Sequence, residues 1–86
     1  MHSIIQSPAQ LSTHLKSLRK AQRLTQAQLG ALIGVKQTRM ADIEKNPGAV
    51  NVAQLLQVLH ALDTRLLLAS AEQASIDAAP KGTADW

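Results

Sequence analysis

Cysteine is absent from the chain, which rules out disulfides and thiolate metal sites and leaves the redox compartment open. Phenylalanine and tyrosine are absent as well, and Trp86 is the sole aromatic residue. A platform that stacks single-stranded nucleic acid needs several aromatics on one face, so the composition argues against that mode. No apolar run is long enough to span a membrane. Residues 1–7 lack both a basic start and a long apolar stretch, so no signal peptide is expected and a cytoplasmic location is the default. His2, His14 and His60 are far apart, without metal-ligand spacing. There is no nucleophile motif and no glycine-rich phosphate loop. Neither an enzyme activity nor a metal or cofactor is expected.

What is present fits one small domain of 86 residues. A chain this short buries a modest share of its surface and gains from a second subunit, so a homodimer is expected on energetic grounds. Its net charge of +3 is unevenly placed. Residues 1–50 hold seven Lys/Arg against two acids, and residues 51–86 hold two against four. The basic half is also the half with helical patterning. That asymmetry suits a polyanionic partner, although a solvated basic face would look the same.

Local signals divide the basic half into short helices. Ser7-Pro8 reads as an N-cap followed by proline at the first helical position. Leu11, Leu15 and Leu18 then recur at helical spacing, with Gln22 on the same stripe, predicting a first helix over Pro8 to Arg23. Thr25 is a second N-cap, and Gln28 completes a capping box. Leu29, Leu32 and Ile33 mark the apolar face of a second helix, Gln26 to Ile33, which Gly34 ends. A third helix runs from about Lys36 to Lys45 with Met40 and Ile43 inward, and Asn46-Pro47-Gly48 stops it. Asn51 caps a fourth, whose Leu55, Leu56, Val58, Leu59 and Leu62 form a broad apolar face. Arg65 to Ala69, with Leu66, Leu67 and Leu68, either extends that helix or forms a short strand pairing with its copy across a two-fold axis. The pairing strand is the favoured reading. From Ser70 onward the composition is too poor in apolar residues to order itself. The chain therefore divides into an all-α domain of four to five helices, residues 1–69, and a flexible tail, residues 70–86.

The second and third helices carry the signature of a helix-turn-helix. Close crossing needs a small residue midway along the first of the pair, and Gly30 is there. The turn needs a residue tolerant of positive φ, and Gly34 is there. Leu29, Ile33, Val35, Met40 and Ile43 sit where they can lock the pair from within. In such a motif the exposed N-terminal part of the second helix faces base edges in the major groove. Lys36, Gln37, Thr38 and Ala41 are the candidate base contacts. Gln can pair bidentately with adenine, Lys can donate to guanine, and the methyl of Thr38 or Ala41 can touch thymine. Arg39 can reach base or phosphate. Asp42 would repel phosphate, so it accepts from cytosine or points away. Gln26, at a helix N-terminus with free N–H groups, is the first phosphate candidate, followed by Arg39, Lys45 and Arg23. Arg19 and Glu44 form an expected bidentate structural pair that fixes the angle between the first and third helices.

Leu18-Arg19-Lys20 through Leu24-Thr25-Gln26, then Leu29-Gly30, Ile33-Gly34-Val35, Met40 and Ile43-Glu44, resemble the xenobiotic-response-element class of phage-repressor helix-turn-helix domains, over roughly residues 11–62. That resemblance implies a phosphate role for Gln26, a base role for Gln37 and an internal pair for Arg19 and Glu44. Asp42 departs from the family, whose members often carry a polar or basic residue there. A narrower resemblance is to the HipB antitoxins, partners of HipA-type kinase toxins. It rests on Ser7-Pro8-Ala9-Gln10-Leu11, Val35-Lys36-Gln37, the apolar Leu66–Leu68 and the final Trp86. It implies strand pairing between subunits, docking of Trp86 in a pocket on the toxin, and a prokaryotic protein associated with the nucleoid. An isolated Trp on a tail buries nothing by itself, and Trp is enriched among binding hot spots.

The function so implied is a dimeric repressor of a palindromic operator in double-stranded DNA, with half-sites about one helical turn, roughly 34 Å, apart. It would also restrain a toxin kinase and repress its own operon. A stand-alone regulator of the same fold is the alternative. A helical protein-interaction module is a third possibility, against which the basic N-terminal half argues.

Overall fold

The computed structural model describes residues 3–71, and in them the chain is helical without strands. The elements are α1 (Pro8–Ala21), α2 (Gln26–Ile33), α3 (Gln37–Lys45), a 3₁₀ turn (Pro47–Ala49) and α4 (Val52–Ala61). Three helices begin with a side chain that accepts from an otherwise orphaned N–H. Ser7 Oγ accepts from Gln10 N at 3.2 Å, and Asn51 Oδ1 accepts from Gln54 N at 2.8 Å. At α2 the capping box closes in both directions: Thr25 Oγ1 accepts from Gln28 N at 3.0 Å and Gln28 Oε1 accepts from Thr25 N at 2.8 Å. α3 starts one residue later than its pattern suggests, because Lys36 is extended and caps it without a side-chain bond.

Three of the four helix ends, those of α1, α2 and α4, share one device. After α2, Gly34 is left-handed at φ 77°, and Val35 N donates back to Gly30 O at 2.9 Å. After α1 the left-handed residue is Arg23 at φ 60°, with Arg23 N on Lys20 O and Leu24 N on Arg19 O. After α4 it is Asp63 at φ 56°, with Asp63 N on His60 O and Thr64 N on Leu59 O. This paired 5→2 and 6→1 bonding is the Schellman motif. It corrects two sequence expectations. α1 stops at Ala21 rather than Arg23, because Arg23 is the reversing residue. Leu66–Leu68 do not extend α4, because Asp63 has already turned the chain; they form neither helix nor strand in the single chain.

Leu15, Leu29, Met40, Ile43, Val58, Leu59 and Leu62 form the buried core, flanked by Leu11, Leu18, Leu24, Ile33, Val35, Val50, Leu55 and Ala61. α2 packs most heavily on α3 and also on α4, and α1 lies across α3 and the 3₁₀ turn. Two residues assigned to inward faces point outward instead: Leu32 is 61% exposed and Leu56 43%. Helical spacing placed them correctly on an apolar stripe. The stripe is wider than the core that four short helices can supply, so its margin stays uncovered. Val52, Leu66, Leu67 and Leu68 are exposed as well in the single chain.

Candidate nucleic-acid interface

The turn between α2 and α3 sets the geometry of the site. Gly30 lets the helices approach until an added Cβ there would sit 2.7 Å from the Val35 carbonyl oxygen. Gly34 reverses the chain at positive φ, a conformation that costs glycine little. Met40 and Ile43, fully buried, hold α3 against the core. The N-terminal ends of α2 and α3 consequently lie together, and their first residues meet: Gln37 Nε2 donates to Gln26 Oε1 at 2.8 Å.

Around that pair the exposed side chains are those of Lys36, Gln37 and Thr38, with Ala41 half-buried one turn along α3. Arg39 is occupied. Its guanidinium donates to Asp42 Oδ2 at 3.0 Å and to Gln54 Oε1 of α4 at 2.6 Å. It therefore lies along the α3–α4 surface instead of reaching away from it. Asp42 answers in the same terms: it holds Arg39 and accepts from Asn46 Nδ2 at 3.2 Å. Lys45 is exposed at the opposite end of α3, about 12 Å from Gln37 at the helical rise per residue. Arg23 is exposed in the α1–α2 turn, three positions before Gln26. So the structure gathers Gln26, Lys36, Gln37 and Thr38 at one edge, places Arg23 in the preceding turn, and leaves Lys45 apart.

Beneath this edge lies a buried polar core. Glu44 has no exposed surface. Its Oε2 accepts from Arg19 Nε at 2.5 Å, and its Oε1 accepts from Arg19 Nη2 at 3.3 Å and from Gln26 Nε2 at 3.1 Å. Arg19 Nη1 also donates to the Leu24 carbonyl at 2.8 Å, tying the α1–α2 turn into the same cluster. The Ser12 hydroxyl donates to the Glu44 backbone carbonyl, joining α1 to the end of α3. Among the described residues no buried side-chain polar atom lacks a partner. Ser12 and Gln54 were not singled out from sequence. Nothing local marks either, since each acts through a contact between elements distant along the chain.

Among the described residues no group of three His, Asp or Glu side chains is arranged to hold a metal ion, and no helix is long and apolar enough to cross a membrane. Trp86 lies outside the described residues.

Residues 15–68 match the helix-turn-helix family model. The antitoxin HipB of Escherichia coli O6:H1 is 32% identical over 82 residues, covering 95% of this chain and 87% of the relative. Two solved structures superpose on most of the chain. One is a HipB variant in complex with an O2 20-mer, with a TM-score of 0.75 and 31% identity over 83% of this chain and 99% of that one. The other is a HipA–HipB–O2–O3 complex, with a TM-score of 0.74 and 28% identity over 81% and 99%. A tight glycine crossing, a left-handed glycine turn and a paired glutamine edge agree with these likenesses over nearly the whole chain, and the protein belongs to the helix-turn-helix family and, within it, to the HipB antitoxins.

Proposed function

We propose that the protein is a homodimeric, sequence-specific DNA-binding repressor that acts as the antitoxin of a HipA-type kinase toxin and represses its own operon. The observation that carries this reading is the edge formed by the first turns of α2 and α3. Gln26 and Gln37 meet there over a fully satisfied buried cluster, with Lys36 and Thr38 exposed alongside. In the proposed complex α3 lies in the major groove of a palindromic operator. Gln37, Lys36, Thr38 and Ala41 touch base edges. Gln26 and the N–H groups of α2 hold a phosphate, with Arg23, Arg39 and Lys45 as further phosphate contacts. Arg39 would exchange Asp42 for the backbone on binding. The likeness to a HipB–DNA complex supports this placement.

The exposed Leu66, Leu67 and Leu68 support a dimer in which this segment pairs with its copy as a strand. Residues 1–69 then form the DNA-binding and dimerisation domain, and residues 70–86 a tail that carries Trp86 to the toxin. The likeness to a HipA–HipB complex supports the partner. The protein performs no chemistry of its own in this reading and works on the nucleoid, in the cytoplasm of a prokaryote.

The test is affinity capture from the source cell, with intact protein and with a form lacking Trp86. Burying one Trp contributes about 1.5–3 kcal/mol, or about tenfold or more in affinity. A kinase identified by mass spectrometry should bind the intact protein and be retained about tenfold less without Trp86. DNA without a kinase partner in both captures would identify a stand-alone regulator instead.

A further inference from the structure

Of the cations proposed to meet phosphate, Arg39 alone is already neutralised. Among the described residues two ion pairs form, Arg19–Glu44 inside the domain and Arg39–Asp42 on its surface. Arg23, Lys36 and Lys45 have no acidic partner. Arg39 is held from two elements at once: Nη1 donates to Asp42 Oδ2 at 3.0 Å on α3, and Nη2 donates to Gln54 Oε1 at 2.6 Å on α4. Both acceptors are themselves held. Asp42 shares a helix face with Arg39 three positions away, and its other oxygen accepts from Asn46 Nδ2 at 3.2 Å. Gln54 sits in the first turn of α4, where its backbone N–H is fixed by the Asn51 cap at 2.8 Å. The guanidinium therefore lies along the α3–α4 surface, and reaching a phosphate means leaving Asp42.

We infer that Asp42, assisted by Gln54, is a built-in brake on DNA affinity: it holds Arg39 away from phosphate, so binding must first break that pair. The inference rests on the proposed phosphate contact of Arg39. Breaking the pair also leaves the Asp42 carboxylate without its cation beside a polyanion. The size of the brake follows from exposure. The two side chains are 41% and 52% exposed, and a pair so open to water holds its partners only modestly. Each pair lowers affinity by up to about fivefold, and a dimer on a two-fold site breaks two, for up to about twenty-five-fold. Phosphates carry no base identity, so the brake sets how tightly the protein binds and leaves which bases it prefers unchanged.

The experiment begins with a duplex that the intact protein selects from a pool of randomised DNA. Affinity for it, and for versions with each half-site base pair changed in turn, is measured at one salt concentration. The proteins are the intact chain, Asp42→Asn, Gln54→Met, Arg39→Ala and the double variant Asp42→Asn with Arg39→Ala, each confirmed folded by circular dichroism. Asp42→Asn should bind about three- to twenty-five-fold tighter, with its base preferences unmoved. Gln54→Met alters no charge, and it should bind at least about twofold tighter. Without Arg39, the gain from Asp42→Asn should shrink by at least about threefold. An undiminished gain without Arg39 would mean plain repulsion between Asp42 and phosphate, and would overturn the brake. So would an Asp42→Asn protein that binds no tighter, or one whose preference changes at a single base pair, which would make Asp42 a base reader. If Arg39→Ala costs nothing in the Asp42→Asn protein, Arg39 meets no phosphate and the brake falls with that contact. An intact protein that selects no sequence at all would sink the repressor reading itself.

Discussion

Glu44→Ala is expected to destabilise the domain by about 3–5 kcal/mol, the cost of removing one partner from a buried pair. The side chains of Arg19 and Glu44 are only 13% and 1% exposed, so solvent does little to compensate the survivor. Without the carboxylate, the Arg19 guanidinium retains only its bond to the Leu24 carbonyl, and Gln26 Nε2 loses its acceptor. A domain of this size is stable by about 5 kcal/mol in total, so most of the molecules should be unfolded or close to it. Urea unfolding followed by circular dichroism measures this. The pair itself need not be a net source of stability, because desolvation offsets attraction. Arg19→Met with Glu44→Leu should therefore recover much of what Glu44→Ala loses. A single Glu44→Ala variant within about 1 kcal/mol of the natural protein would show that the cluster is not the fastening described.

The second large effect is expected at Gly30. Glycine to alanine inside a helix normally stabilises by up to about 1 kcal/mol. Here the added Cβ meets the Val35 carbonyl oxygen at 2.7 Å, which is backbone and cannot swing aside. The Met40 Cβ, 3.5 Å away, is in ordinary contact, so the collision is with the Val35 oxygen alone. The collision should outweigh the propensity gain, for a net loss of about 1–3 kcal/mol. It should also push α3 away from α2, separating Gln26 from Gln37 and weakening sequence-specific DNA binding more than stability alone explains. Gly34 provides the contrast: nothing lies within 4 Å of its added Cβ, so its cost is conformational only. Urea midpoints of Gly30→Ala and Gly34→Ala, with DNA affinity at matched folded fraction, separate the two causes. A Gly30→Ala protein more stable than the natural one would contradict the close crossing.

These effects also mark how far the fold can be read from the chain. Starts of helices are legible because they are local: Ser7, Thr25 with Gln28, and Asn51 each bond to an N–H three positions on. Ends are legible only where breaker residues mark them, as Gly34 does after α2 and Asn46-Pro47-Gly48 after α3. Gly34 gives its turn away, whereas Arg23 adopts the same left-handed turn in a residue type that usually avoids it, and Asp63 in one that visits it only occasionally. Exposure of Leu32 and Leu56 was hidden for a different reason. Spacing shows which residues share a face, but how much of that face is covered depends on neighbouring helices. At the candidate interface, Gln26, Lys36, Gln37 and Thr38 were each readable by residue type, and the structure brings them to one edge. The amide contact between the two glutamines, and the capture of Arg39 by Asp42 and Gln54, depend on distances between elements and had no sequence signal.

The role of α3 as the groove-reading helix is decided by a hydroxyl-radical footprint of the natural protein on its selected duplex, repeated with Gln37→Ala. Two protected patches about one helical turn apart are expected, as a two-fold dimer with one α3 per half-site requires. Protection should weaken steeply with salt, since phosphate contacts release counterions. With Gln37→Ala the preference over scrambled DNA should drop by about 1–3 kcal/mol. Uniform protection without preferred sites, or a preference untouched by Gln37→Ala, would contradict it.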